Sequence, residues 1–147
     1  MLPSPPRTLV ESLESRRLLS ADFAVQINFQ RSSSATPQGY LADSGAAFGQ
    51  RGGGLQYGWN ATTNETRDRN KSASPDQRYD TLNHMQKRSN PDASWELAAD
   101  DDLYEVSIVA GDPGYIDSNY AIAAEDILTV SGRPSWSQRW FEGSQTI

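Results

Sequence analysis

The chain has 147 residues, 36% of them hydrophobic and 10% aromatic, and a formal net charge of -6. That length supports one domain around a small core, and the acidic balance argues against a phosphate backbone as the main partner. With no cysteine and a single histidine, disulfides, thiolate chemistry and multi-histidine metal cages are excluded.

The first residues, Met1 to Pro6, are proline-rich and read as extended, because proline fixes its own φ and pushes the residue before it out of the helical region. Thr8 and Glu11 have the spacing of a capping box, and Leu9, Val10 and Leu13 precede Leu18-Leu19 at helical spacing, predicting a short amphipathic helix over Leu9–Leu19. Arg16-Arg17 interrupts the only apolar stretch, so an ordinary signal peptide is not expected. Period two then sets in, with Phe23, Val25, Ile27 and Phe29 on one face, which predicts a strand. Arg31–Gln38 reads as a Ser-rich loop. Gly39–Gly58, with seven glycines, reads as a long turn-rich excursion, and Asn60–Asp76 as polar surface.

Further strands are predicted at Ser94–Leu97 and Leu103–Ala110, joined by a turn at Asp100-Asp101-Asp102. Gly111-Asp112-Pro113-Gly114 is the densest turn signal. Tyr120–Ala124 and Ile127–Val130 read as a hairpin around Glu125-Asp126. Short strands, long loops and little helix predict an all-β, antiparallel sandwich. No apolar run approaches the roughly 18 residues of a membrane-spanning helix. Charge is uneven along the chain: Pro91–Asp126 carries ten acidic residues and no lysine or arginine, whereas Ala61–Asn90 carries six basic and four acidic.

Two resemblances follow from these segments. Residues 10–20, containing Leu13-Glu14-Ser15-Arg16-Arg17-Leu18-Leu19, resemble the LEPR-XLL element of exported bacterial proteins, with Ser15 where proline is usual. This implies an export element over residues 1–21 and a secreted or cell-surface, extracellular location. The remainder resembles the malectin-like branch of galactose-binding-type β-sandwiches. Its carriers are Ile27-Asn28-Phe29, Gly39 to Gly45, Tyr57-Gly58-Trp59, Asp76 to Leu82, Trp95-Glu96-Leu97 and Gly111-Asp112-Pro113. The resemblance implies a jelly-roll module over residues 22–147 that binds carbohydrate without catalysis. Such a module normally continues through one or two more strands after Trp140-Phe141-Glu142-Gly143, so it is expected either to lack its last strand or to close with a shortened one at Ser144–Ile147.

Sugar recognition uses flat aromatic faces and planar polar groups, and Tyr57, Trp59, Arg78, Tyr79, Asp112, Tyr115 and Asp117 supply both on predicted loops. In the malectin-like resemblance the aromatic positions of the cleft correspond to Tyr57, Tyr79 and Tyr115. Each has a packing alternative, since large aromatics also serve as wedges beneath loops. Trp95 alternates with Leu97 and reads as core, whereas Trp136 and Trp140 read as exposed near an unfinished end. His84 lacks a G-x-S-x-G nucleophile elbow, so no triad is expected. No cofactor is required; Asp112 and Asp117 have the oxygen chemistry for a structural Ca²⁺, but the D-x-[DN]-x-[DN]-G loop is absent. Arg67, Arg69 and Lys71 alternate with Asp68 and polar residues and read as a solvated strip, not a nucleic-acid patch. The expectation is a carbohydrate-binding module, the alternative a structural spacer or adhesion domain without a small-molecule ligand.

Overall fold

A computed structural model describes residues 23–147; the helix expected over Leu9–Leu19 and the LEPR-XLL-like element lie outside the described residues. The described chain is all-β, built of short ladders that close no barrel. The one α-helix among the described residues, α1, is a single turn at Gln77–Asp80.

Strand β1 (Ile27–Phe29) pairs in parallel with β2 (Leu41–Asp43). Regular pairing covers less than the Phe23–Phe29 run predicted, since β2 offers three residues to pair with. Both faces of β1 are used. Phe29 meets aromatic rings, while Asn28 and Gln30 are buried in a polar layer where Asn28 Nδ2 donates to Gln30 Oε1 (2.7 Å) and Thr81 Oγ1 (2.8 Å). Gln30 Nε2 in turn holds the Ser-rich loop through Ser34 O at 2.8 Å. An interior amide is tolerated here because its hydrogen-bonding groups are matched.

The glycine-rich stretch, expected as loop, carries β2, β3 (Gly49–Gln50) and β4 (Gln56–Trp59). Strands β3, β4 and β7 (Trp95–Leu97) form an antiparallel sheet with β4 central, and Trp59 faces Trp95 across the ladder. Gly58 makes this possible. Its φ is +147°, and the carbonyl oxygens of Ala46 and Ala47 lie 2.7 Å from where a Cβ would sit, so any side chain would break the Ala47–Trp59 bridge. Strand β5 (Thr66–Asp68) pairs with β6 (Thr81–Asn83), and α1 leads directly into β6. The polar stretch predicted as surface therefore contains a strand, held by what it pairs with.

Strand β8 (Glu105–Gly111) pairs along its whole length with β11 (Trp140–Thr146), so Trp140 and the residues after it form a strand of seven. The ladder runs on through Tyr104 and Ile147, whose backbones exchange hydrogen bonds of 2.9 Å. The predicted hairpin is present as β9 (Tyr120–Ala124) and β10 (Ile127–Gly132). Glu125 and Asp126, with φ of 45° and 64°, make the two-residue turn whose left-handed conformation suits the strand twist. This hairpin lies face to face on β8–β11. A Cβ on Gly143 would overlap the Thr129 carbonyl, and one on Gly132 would overlap the Phe141 ring, so the backbones approach closely where side chains are missing. Val130, Ala110 and Ala124 form the apolar interior on this side, and Tyr57 and Trp59 form it on the other.

Candidate functional site

The aromatic side of the molecule is organised around one carboxylate. Asp43, 2% exposed, sits at the end of β2. Its Oδ1 accepts hydrogen bonds from Gly45 N (2.8 Å) and Trp59 Nε1 (3.0 Å), and its Oδ2 accepts one from Trp95 Nε1 (2.9 Å). Phe29 stands edge-on to both indoles, with ring centroids 5.5 and 5.6 Å away, and Tyr57 tilts against Trp95 at 5.7 Å. Burial, and secondarily the Asp43 charge, push the Tyr57 phenol above its ordinary range. Two of the predicted sugar-stacking residues are thereby corrected. Tyr57 and Trp59 are 4% and 3% exposed, because β4 is the middle strand of its sheet and their rings fill the space beneath it. They take the packing role held open for them.

A second cluster presents an aromatic face to solvent. Asp112, buried in the turn after β8, accepts Arg69 Nε at 3.1 Å and Arg69 Nη2 at 2.7 Å, a two-point ion pair, and its Oδ1 also takes Gly114 N at 2.8 Å. Arg69, read from sequence as part of a solvated strip, is instead drawn inward, with 18% of its side chain exposed. Its guanidinium lies 4.5 Å from the centroid of the Tyr115 ring, which is 55% exposed. Charge-assisted, bidentate bonding fixes the arginine plane, and the plane supports the ring. Asp112 is the anchor beneath this platform, with both of its oxygens held by Arg69.

Arg78 and Tyr79 lie on α1, which Asp76 caps by accepting Arg78 N at 2.9 Å. Asp76 also takes Arg78 Nε and Nη2 at 2.9 and 2.6 Å. Those hydrogen bonds hold the Asp76 carboxyl below its usual range and raise Arg78 above its own. The Tyr79 hydroxyl donates to Glu142 Oε1 at 3.0 Å, its ring stands edge-on to Trp140 at 5.4 Å, and the Glu142 bond is the first cause of its raised pKa. Trp140, expected as exposed, is covered in part by that contact, whereas Trp136 is 59% exposed beneath Arg139.

Four predicted residues thus belong to one continuous region. Trp140 pairs with Gly111, next to Asp112, and the Asp80 carbonyl, next to Tyr79, accepts Arg69 N at 3.0 Å. Arg78, Tyr79, Asp112 and Tyr115 are linked in this way, while Tyr57 and Trp59 are elsewhere. Asp117 is exposed beyond Tyr115. The residue that sequence reasoning missed is Arg69; its only signal was a cation inside the polar stretch that Asp112, 43 positions away, would bind.

Asp112 gives both oxygens to Arg69, which removes it from the suggested Ca²⁺ pairing with Asp117; among the described residues no three His, Asp or Glu side chains gather as metal ligands. His84 follows β6, and its backbone N–H bonds to Glu65 O at 3.1 Å. Burial first, then the charges of Lys87, Arg67 and Arg69, lower its pKa below the ordinary 6.5. His84 shares a narrow crevice with Trp59, Thr63 and Lys87. Among the described residues no helix is long and apolar enough to cross a membrane.

Compared with protein-family models, with curated proteins and with solved structures, the chain matches none. The malectin-like resemblance therefore rests on its short motifs alone.

Proposed function

We propose that the protein is a noncatalytic carbohydrate-binding module, secreted or displayed at a cell surface, whose sugar contact is the Tyr115 platform. One observation carries this reading: an aromatic ring, more than half exposed, lies on a guanidinium that a buried carboxylate grips at two points. A ring held in advance loses little freedom when a pyranose C–H face settles on it, and so meets a main cost of weak binding. Within the jelly-roll reading of the fold, the contact surface becomes the loop after β8, with Arg78 and Tyr79 beside it, in place of Tyr57. Glycan-array screening followed by titration calorimetry tests this. Saturable binding to a saccharide, lost in Tyr115→Ala with an unchanged unfolding midpoint, supports it; binding undiminished in that variant overturns it.

A second reading, a structural spacer or adhesion domain, draws on the packing roles of Tyr57, Trp59 and Tyr79. Those aromatics tie loops to strands, as a module without a small-molecule ligand requires. Absence of binding across the array favours it.

A further inference from the structure

The surroundings of Tyr115 mix both signs of charge: the buried Asp112 and the exposed Asp117 on its own loop, and Arg69 and Lys71 from the segment after β5. Residues 67 and 69 share one face of β5 and its continuation, and Leu82 and His84 share the facing side of β6, because Arg67 pairs with Leu82 across the ladder. Arg67 bonds Glu65 Oε2 at 2.9 Å and Arg69 is held by Asp112, so these two cations are locally balanced. Lys71 and Lys87 are exposed, and among the described residues neither has a carboxylate partner within ion-pair distance.

Lys71 is the better placed of the two. Its backbone N–H donates to the buried Asp80 Oδ1 at 2.9 Å and its carbonyl accepts Ser74 N at 3.0 Å, so the root of the side chain is fixed. Its Cε and Arg69 Cδ both lie 3.8 Å from the position a Cβ would take on Gly114, the residue before Tyr115. Asp112 Oδ1 lies nearer the same point, at 3.5 Å. The Lys71 side chain passes beside Gly114, the residue that precedes the exposed Tyr115 ring.

We infer that this surface selects an anionic saccharide, with the sugar face on Tyr115 and a sulfate or carboxylate substituent on Lys71. This rests on the saccharide-binding reading of the Tyr115 platform and adds the class of sugar. Long-range attraction cannot explain such a preference, since the chain carries a net charge of -6. At physiological salt the Debye length is about 8 Å, so the charges nearest the ring decide.

The test uses the full chain and one glucan backbone in three forms: uncharged dextran, carboxymethyl-dextran and dextran sulfate, titrated at low and physiological salt. Binding of one or both charged forms at least ten-fold tighter than dextran is expected, and which of them binds assigns the substituent. Lys71→Gln should remove that preference without moving the unfolding midpoint, because the fold uses only the backbone of Lys71. Equal binding of dextran, or of uncharged array glycans, with Tyr115 still required, overturns the anionic preference and leaves the saccharide reading standing. Inorganic polyphosphate bound as tightly as dextran sulfate, and undiminished by Tyr115→Ala, overturns both in favour of simple polyanion attraction. Failure of every glycan, charged or not, also overturns both.

Discussion

Asp43→Asn is a nearly isosteric change that tests whether one carboxylate organises the aromatic half of the molecule. The amide keeps an oxygen for Gly45 N and Trp59 Nε1, but its NH₂ then faces the Trp95 Nε1–H that Oδ2 now accepts. A hydrogen bond to a charged group contributes about 1.5–3 kcal/mol, and a buried donor left without an acceptor costs about 1–3 kcal/mol. Relief of the desolvation that a 2% exposed carboxylate suffers offsets part of this. The net loss expected is about 2–3 kcal/mol, a large share of the roughly 5–15 kcal/mol that a domain has. Asp43→Ala, which orphans both indoles and the Gly45 amide, should lose about 4 kcal/mol by the same reasoning. Urea unfolding followed by tryptophan fluorescence and by far-ultraviolet dichroism reads both variants, and with a slope of about 1–3 kcal/mol per molar the midpoint shifts by about 0.7 M or more. A double-mutant cycle with Trp95→Phe isolates the bond itself. If Asp43→Asn unfolds within about 0.5 kcal/mol of the parent, or its cost is the same with and without the Trp95 donor, the carboxylate is not the organiser.

Three other outcomes follow from the geometry. Arg69→Ala should destabilise by about 3–5 kcal/mol, because Asp112 keeps its burial and loses its cation; Arg69→Lys should recover part of that but not the two-point grip, and denaturant midpoints compare the three. Gly143→Ala drives a methyl group into the Thr129 carbonyl and should cost at least about 1–3 kcal/mol by overpacking, visible as a lower Tm, whereas alanine at the open Gly52 should be neutral. His84 has a folded pKa below its unfolded one, so the unfolded chain binds the extra proton and stability rises with pH. Its contribution is complete above the unfolded value of about 6.5 and is lost as pH falls from there through the folded value. His84→Gln should flatten that limb of the stability–pH profile, and an unchanged slope would show that His84 is not its source.

The hairpin Tyr120–Ala124/Ile127–Gly132 and the strand at Trp95–Leu97 were legible because alternating apolar residues and turn residues act over a few positions. The strands at Leu41–Asp43 and Thr66–Asp68 were not, since three-residue strands in glycine-rich or polar sequence carry no period. The candidate site divides in the same way. Tyr115 and Asp112 stand beside a dense turn signal and were named from it, but the sequence did not show that Asp112 would be buried against Arg69. Arg69 was read as solvated because nothing near it in sequence shows the carboxylate it reaches.

Composition and short-range periodicity, by themselves, pointed to strands, which the described residues form, and established that the chain has no cysteine and a single histidine. They could not settle which aromatics face water. A tyrosine inside a strand and one on a turn have the same chemistry, and only pairing across the sheets sends Tyr57 inward and leaves Tyr115 in solvent. Burial is a property of what the rest of the chain stacks over a residue, and that depends on contacts tens of positions apart, for which local pattern carries no code.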